Sequence, residues 1–418
     1  MSCFLTADWH LGETRLELMQ RPFLTPEEMH RVKAQYQANF IRGIERIGGF
    51  GGKSDRLAQS QVFRGSADAY KTSLKRVQEA TAEDLRAAAQ QWLSDGVYIL
   101  EVDPFPDYKN AAAVDRSKAP DTGAPPELKL PKLQRAKLSN GLKVILAERH
   151  EVPLVNFTLA ADAGFAADAS SATPGTANLA MQVLTDGTRT RNALQISDEL
   201  EALGATLRGS SNLDLSFVSL SALTSKLDPS LDLFADVVLN SSFPETEVKR
   251  EQKLALAGIE REQNTPATLA LRVLPALLYG AGHPYGNPLT GSGTKESVAK
   301  LTREDLVKFH DTWLRPNNAT LIVVGDTTLK EVTPKMEKLL AGWKSGNVPV
   351  KDVKAVSVLA KSAVYLIDKP GAQQSVIIAG VVAPPRANPQ EIAIEAMNDS
   401  LGGMFGVRLN MNLREDKH

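Results

Sequence analysis

The fold is decided by the stretch Ala136-Lys-Leu-Ser-Asn-Gly-Leu-Lys-Val-Ile-Leu146, in which apolar residues alternate on both sides of Asn140-Gly141. An Asn-Gly pair in this setting is the strongest short-range signal for a β-hairpin. Segments typical of strands, helices and turns follow one another from there to about residue 345. This order predicts an α+β fold built from repeated two-layer domains. Each domain would pair an antiparallel-dominated sheet with helices on one face.

Two further blocks flank this central one. The first contains a helix that opens at Thr25-Pro-Glu-Glu28, where a hydroxyl cap, an N1 proline and first-turn acids favour a helix start. A stretch rich in Pro, Ala, Lys and Asp then reads as a linker. The last block opens with a predicted strand, Ala363–Ile367. We divide the chain into residues 1–105, the linker 106–131, a central domain 132–348, and the start of a further domain, 349–418.

The chain also repeats a local pattern. Thr81-Ala-Glu-Asp and Thr302-Arg-Glu-Asp are both helix-capping sequences, and Trp92 and Trp313 follow them at the same distance. A β-branched, strand-like run comes after each tryptophan. A shared cap, tryptophan and strand in one order predicts a domain repeat.

Composition narrows the possible partners. The 418 residues carry a formal net charge of -1, which argues against a nucleic-acid partner because such proteins present a basic face. No run of about 20 apolar residues occurs, so we expect no membrane span. Cys3 is the single cysteine and excludes an intrachain disulfide. The N-terminal residues do not have the pattern of a signal peptide.

A search for catalytic motifs finds none that is complete. None of the six histidines lies four residues from another, and the chain has no G-x-S-x-G, G-x-x-x-x-G-K-[ST] or G-x-G-x-x-G motif. The glycine-rich run Gly48–Gly52 follows a helix and does not precede one on our reading. We therefore interpret it as a turn and not as a phosphate-binding loop.

Several motifs give the central block a resemblance to the N-terminal domain of a pitrilysin/insulinase-family zinc peptidase. They are Leu138-Ser-Asn-Gly-Leu-Lys-Val144, Ala161-Asp-Ala-Gly164, Gly175-Thr-Ala177, Gly187-Thr188, Leu200-Glu-Ala-Leu-Gly-Ala205, Tyr279-Gly-Ala-Gly-His-Pro-Tyr-Gly-Asn-Pro288, Pro316-Asn-Asn-Ala-Thr-Leu321 and Val323-Val-Gly-Asp326. The last block resembles the start of the family's second domain, through Asp368-Lys-Pro-Gly-Ala-Gln-Gln-Ser375, Leu401-Gly-Gly403, Arg408-Leu409 and Leu413-Arg-Glu415. The first block resembles the later part of such a second domain. The resemblance therefore implies a piece of a longer protein made of two units.

The resemblance also shows what has been lost. Active members carry H-x-x-E-H on a helix, where two histidines bind zinc and the glutamate activates the metal-bound water. The matching positions here hold Asn178, Met181 and Gln182. The position of the third ligand, a glutamate on a later helix, holds Gly258, and an accessory acidic position holds Glu251. We therefore expect no metal and no catalytic residue in this chain, and zinc only in the active half of the intact protein.

In two-unit members, the resemblance implies, the degenerate half supplies an arginine to the active site of the other half. Arg414 matches that arginine through its Leu-Arg-Glu context. A fixed cation there would hold the substrate or stabilise charge on the scissile carbonyl oxygen. The implied partners are a zinc-bearing half, upstream in the same polypeptide or on a separate subunit, and a peptide substrate.

Three functions remain open at this point. The chain is the non-catalytic half of a zinc metalloendopeptidase, or a structural assembly subunit like the core proteins of respiratory complexes, or an enzyme of unrelated chemistry, which no motif supports. His283 is expected to pack and not to catalyse. Exported bacterial relatives imply a periplasmic location.

Overall fold

The computed structural model describes residues 25–93, 131–171, 173–356, 361–372, 374–403 and 406–417. Contacts divide the chain into two compact units, one of Met1–Ala257 with Gly291–Lys351 and one of Gly258–Thr290 with Asp352–His418. Each unit is described by itself below. Within the described residues, no helix is both long enough and apolar enough to cross a bilayer.

The first unit contains one sheet and most of the helices. Its strands are β1 (Leu133–Lys137), β2 (Lys143–Glu148), β3 (Leu154–Ala161), β4 (Thr206–Ser211), β5 (Ser216–Leu223) and β6 (Ala319–Gly325). Its helices are α1 (Pro26–Glu45), α2 (Lys53–Arg64), α3 (Ala69–Glu79), α4 (Ala82–Leu93), α5 (Asp168–Ser171), α6 (Thr176–Val183), α7 (Ala193–Leu203), α8 (Leu227–Asn240), α9 (Glu245–Asn264, whose last residues belong to the second unit), α11 (Lys295–Ala299), α12 (Arg303–Trp313) and α13 (Leu329–Leu339). The α+β prediction is confirmed.

The six strands lie in the order β1-β2-β6-β3-β5-β4. Every pairing is antiparallel except that of β2 with β6, so the sheet is antiparallel-dominated, as expected. The hairpin predicted at Asn140-Gly141 joins β1 to β2. Gly141 has a φ of +96°, which a residue with a Cβ rarely adopts, and the side chain of Asn140 accepts a hydrogen bond from the N–H of Leu142.

One face of the sheet forms the core. The side chains that alternate onto this face are almost completely buried: Phe157, Leu159, Val218, Leu220, Leu321 and Val323. Helix α8 packs against β5, α6 packs against β4, and α12 packs against α6. Burying each such side chain stabilises the fold by roughly 1.5–3 kcal/mol, and this layer therefore supplies most of the stability of the unit.

One helix from residues 1–105, the block predicted as a separate domain, packs on the opposite face of the sheet. Helix α1 lies at one end of the opposite face, where Ala38 packs with Leu154 and Leu223 and is fully buried. The guanidinium of Arg42 donates to the main-chain oxygens of Gly204 and Ser221. The helix lies there because it offers a small residue at the point of closest approach and a cation that satisfies exposed carbonyl groups.

The local repeat is present, but its two copies differ in burial. Thr81 caps α4 through Asp84, and Thr302 caps α12 through Asp305. The tryptophan of the second copy is 1% exposed, whereas Trp92 is 73% exposed. Residues 97–102, the strand-like run of the first copy, lie outside the described residues.

The second unit contains helices α10 (Pro266–Tyr279), α14 (Glu391–Asn398) and α15 (Arg408–Asn410), with π-helical turns over Asp399–Gly403 and Met411–Asp416. The strand predicted at Ala363–Ile367 does not form. Val364 and Leu366 are more than nine-tenths exposed. A β-branched run becomes a strand only when another strand pairs with it, and the described residues of this unit contain none.

Candidate functional site

Helix α6, which carries Asn178, Met181 and Gln182, begins at a buried carboxylate. Asp168 is 1% exposed, and its two oxygens accept hydrogen bonds from the N–H groups of Gly175 and Ala177, at 2.9 and 3.0 Å. Burial raises the pKa of Asp168 to about 7, although these hydrogen bonds act in the opposite direction. Asp168 therefore satisfies N–H groups that lack partners within the helix, and it fixes where α6 starts.

The motif positions on α6 do not suit zinc. Met181 is 1% exposed within the core, Asn178 is half-buried and Gln182 is exposed. Zinc in proteins is bound by imidazole, thiolate or carboxylate groups, and amide and thioether side chains are not among these ligands. A thioether also cannot accept a proton from water at neutral pH. Among the described residues, no group of three or more His, Cys, Asp and Glu side chains is placed to hold a metal.

Glu251 is engaged in an ion-pair cluster in the same unit. The guanidinium of Arg250 lies 2.7 Å from carboxylate oxygens of Glu247 and Glu251 and 3.0 Å from one of Asp186. Burial is the main cause that raises the pKa of Asp186 to about 6; the two glutamates raise it further, and Arg250 opposes the shift. One guanidinium thus compensates three carboxylates, and Glu251 already has a cation partner.

Gly258, at the position predicted for the third ligand, belongs to the second unit. A Cβ built at this glycine would meet no atom within 4 Å. The backbone therefore does not require glycine here, and a Cβ would fit without contact. A glycine inside a helix costs about 1 kcal/mol relative to alanine.

His283 has both ring nitrogens occupied by the main chain. Nδ1 accepts a hydrogen bond from the N–H of Tyr285 at 3.0 Å, and Nε2 lies 2.9 Å from the carbonyl oxygen of Lys354, to which it donates. The ring also stacks on Tyr279, with centroids 5.3 Å apart. This arrangement gives the imidazole a structural role in the second unit, in agreement with the sequence analysis.

Arg414 lies on the π-helical turn Met411–Asp416 in the second unit, and its side chain is 65% exposed. Its guanidinium is 3.8 Å from the carboxylate of Glu415. An exposed guanidinium of this kind is able to approach a carbonyl or carboxylate group of a bound peptide.

The glycine-rich run Gly48–Gly52 does precede a helix, contrary to the sequence analysis, because α2 begins at Lys53. The N–H groups at this helix start are nevertheless used. The N–H of Gly51 donates to Asp55, while those of Lys53 and Ser54 donate to the main-chain oxygens of Arg46 and Ile47, the two residues that follow α1. The turn therefore offers no cradle for a phosphate, although the reason differs from the one expected.

The structure thus places Asn178, Met181 and Gln182 on one helix, with Glu251 in the same unit, and it places Gly258 and Arg414 in the other unit. Sequence reasoning missed Asp168 and Arg250. The capping contacts of Asp168 reach across the turn before α6, and the partner Asp186 lies 64 residues from Arg250. Neither contact has a short-range sequence signature.

Comparison with known proteins supports one family. A sequence model described as Insulinase (Peptidase family M16) matches residues 143–293, and one described as Peptidase M16 inactive domain matches residues 300–418. An uncharacterized zinc protease of Mycobacterium leprae is 26% identical over 288 residues, which cover 68% of this chain and 63% of that protein. Cytochrome b-c1 complex subunit 1 of Bos taurus is 23% identical over 276 residues, which cover 65% and 56%.

A comparison with solved structures supports the same family. The crystal structure of a peptidase M16 inactive domain from Pseudomonas fluorescens has a TM-score of 0.59 and 25% identity, and the match covers 68% of each chain. This chain spans less than two thirds of the length of either relative above. Two models of one family match most of the sequence from residue 143 onward, and the relatives and the solved structure agree with them. The chain belongs to the pitrilysin/insulinase family of zinc metallopeptidases.

Proposed function

We propose that this chain is the non-catalytic half of a zinc metalloendopeptidase, and that it forms part of the substrate chamber around a site located in another half. One observation carries the proposal: the zinc-ligand and base positions hold Asn178, Met181, Gln182 and Gly258, none of which replaces the lost chemistry. The description of the matching C-terminal model as an inactive domain points the same way.

The structure around these positions argues against a hidden alternative site. Met181 is part of the core, so its side chain is unavailable to solvent or substrate. Glu251, the acidic side chain at the accessory position, is already compensated by Arg250. A chain with this arrangement contributes binding surface and not a hydrolytic centre.

We assign substrate binding to Arg414. An exposed guanidinium donates up to five hydrogen bonds and keeps its charge at every physiological pH. When it is enclosed beside a peptide, it stabilises negative charge on the carbonyl oxygen under attack. The reaction itself then depends on zinc in the other half. This chain supplies the guanidinium of Arg414 and part of the surface that encloses the substrate.

The test uses the chain assembled with its H-x-x-E-H half, with hydrolysis of a quenched fluorogenic peptide as readout. Arg414→Ala is expected to lower kcat/KM by about tenfold or more without changing assembly, because one oriented charged contact is lost. Lys417→Ala, which removes one positive charge three residues away, is the matched control. Assembly with unchanged kcat/KM in the Arg414 variant would instead favour a purely structural subunit.

The division of the chain at residues 105, 131 and 348 remains a prediction from composition, local patterns and the resemblance, and the periplasmic location remains a prediction from the resemblance. Limited proteolysis tests the first, because cleavage should concentrate within 106–131. Fractionation of cells that express the intact protein tests the second.

A further inference from the structure

The face of the sheet opposite the core has a simple arrangement because the strands are in continuous register. Three rows of residues cross all six strands on this face. The first row is Lys137, Lys143, Thr320, Ala160, Phe217 and Ser210. The middle row is Arg135, Ile145, Ile322, Thr158, Ser219 and Arg208. The last row is Leu133, Ala147, Val324, Asn156, Ser221 and Thr206.

The charges on this face have one sign. Its positions include four cations, Arg135, Lys137, Lys143 and Arg208, and no aspartate or glutamate. All four cations are exposed. None of them forms an ion pair with any residue that the structure describes, which contrasts with the paired Arg191, Arg250 and Arg272 elsewhere.

Two of the cations are placed where they repel each other. Lys137 and Lys143 are direct partners across the β1–β2 hairpin. Side chains in such pairs are about 5 Å apart at Cβ, and like charges there destabilise a sheet. An acidic residue at either position would remove the repulsion. A cluster that costs stability and has no counter-ion in the described part of the chain points to an external anion.

Helix α1 contacts the last row and the Leu154–Leu223 pair beyond it. Arg42 donates to the hydroxyl of Ser221 at 3.2 Å, and Asn156 donates to the carboxylate of Glu45 at 3.5 Å. The last row therefore already receives one carboxylate. The first and middle rows, which hold all four cations, lie beyond these contacts.

We propose that the first and middle rows form a binding surface for acidic peptide segments in extended conformation. Arg135 and Lys137 are two residues apart on an edge strand and therefore project to the same side about 6.8 Å apart. Alternate side chains of an extended peptide have the same spacing, so Glu or Asp at every second position would meet them.

The chemistry favours a peptide over a nucleic acid. Four cations spread over two rows give a low charge density, and Phe217, the only aromatic residue on the face, is half-buried. Sheets that bind single-stranded nucleic acid rely on exposed aromatic platforms and on a dense basic surface. This surface lies in the first unit and does not include Arg414, and the inference does not rest on the proposed function.

The test measures the binding of the full chain to a fluorescein-labelled peptide of about twelve residues that alternates Glu and Thr, by anisotropy at low and physiological salt. We expect saturable binding that weakens with salt, and none to the same peptide with Lys for Glu. The triple variant Arg135→Gln, Lys137→Gln, Lys143→Gln should bind about tenfold more weakly or worse. The control variant Lys253→Gln, Lys300→Gln, Lys330→Gln has the same net charge and should bind like the unaltered chain.

A single variant keeps the test sharp if the triple variant folds poorly. Lys143→Glu should weaken peptide binding while its thermal midpoint stays equal or rises, because the new carboxylate pairs with Lys137. Equal losses in the triple and control variants would contradict the proposal. The absence of saturable binding at low salt would also contradict the proposal. This includes the case in which residues 94–130 of the same chain occupy the surface and exclude the peptide. If the chain bound polyuridine more tightly than the acidic peptide, and the triple variant lost that binding, the surface would be assigned to nucleic acid. That result would contradict the peptide-binding proposal.

Discussion

The α-carbon of Gly209 in β4 lies directly against the main-chain carbonyl of Met181 in α6: a Cβ at position 209 would stand 2.0 Å from that oxygen. Helix α6, which carries Asn178, Met181 and Gln182, therefore rests on the sheet with no space for a side chain between them. The buried Met181 and the glycine form one contact, and the position of α6 depends on both.

This contact predicts that replacing Gly209 and replacing Gly258 by alanine have opposite effects on stability. Gly209→Ala should lower the free energy of unfolding by about 3 kcal/mol or more, because helix or strand must shift. Gly258→Ala should raise it by about 0.5–1 kcal/mol, because alanine loses less backbone entropy in a helix and its Cβ meets nothing. Urea unfolding monitored by circular dichroism measures both. Equal effects of the two substitutions would show that α6 does not rest on β4 as described.

The buried carboxylate at the start of α6 predicts a pH dependence. Burial raises the pKa of Asp168 in the folded chain to about 7, above the value of 3.8 for a free aspartate. Ionisation is therefore disfavoured by folding, and the contribution of this group to stability falls as the pH rises from about 4 to about 7. The difference between the two pKa values corresponds to a loss of roughly 4 kcal/mol in the free energy of unfolding over this pH range.

Replacing Asp168 tests this dependence. Asp168→Asn keeps a side-chain oxygen for capping but cannot ionise, so the loss of stability between pH 5 and pH 8 should be smaller in this variant by about 2 kcal/mol or more. Asp232→Asn, at an exposed position on α8, controls for the loss of one carboxyl group. An unchanged pH profile in the Asp168 variant would show that this carboxyl does not titrate between those values.

The cluster around Arg250 predicts a loss of stability that depends on protonation. Arg250→Ala leaves Asp186, Glu247 and Glu251 without their shared cation, and we expect a loss of about 1–2 kcal/mol at pH 8. The loss should be smaller at pH 5, below the value near 6 to which burial raises the pKa of Asp186, because the protonated acid needs no cation.

A neighbouring lysine provides the control for this cluster. Lys249→Ala removes an equal charge from an exposed pair with Glu245 and should change stability by less than about 0.5 kcal/mol at either pH. Urea unfolding at the two pH values makes the comparison. A loss that is the same at pH 5 and pH 8 for the Arg250 variant would remove the electrostatic explanation.

Short-range sequence patterns predicted what depends on neighbouring residues. The β1–β2 hairpin follows from Asn140-Gly141 because the turn chemistry lies within the turn itself. The absence of a zinc site at Asn178, Met181 and Gln182 stays a prediction, and it rests on the same short-range reasoning, since helix periodicity places positions three and four residues apart on one surface.

Contacts distant in sequence account for what was missed. The α1 helix could be predicted from its cap, but its place over Leu154 and Leu223 depends on residues more than a hundred positions away. The strand expected at Ala363–Ile367 lacked a partner among the described residues. Asp168 and Arg250 act through partners outside their own elements. Composition and periodicity do not predict such pairs.

The measurement that tests the central claim most directly is the zinc content of the purified chain after dialysis against trace zinc, determined by mass spectrometry. We predict less than about a tenth of an equivalent, because amide, thioether and glycine positions supply no ligand that retains the ion. One firmly bound equivalent would contradict the assignment of Asn178, Met181, Gln182 and Gly258 as a degenerate site, and with it the proposed role as the non-catalytic half.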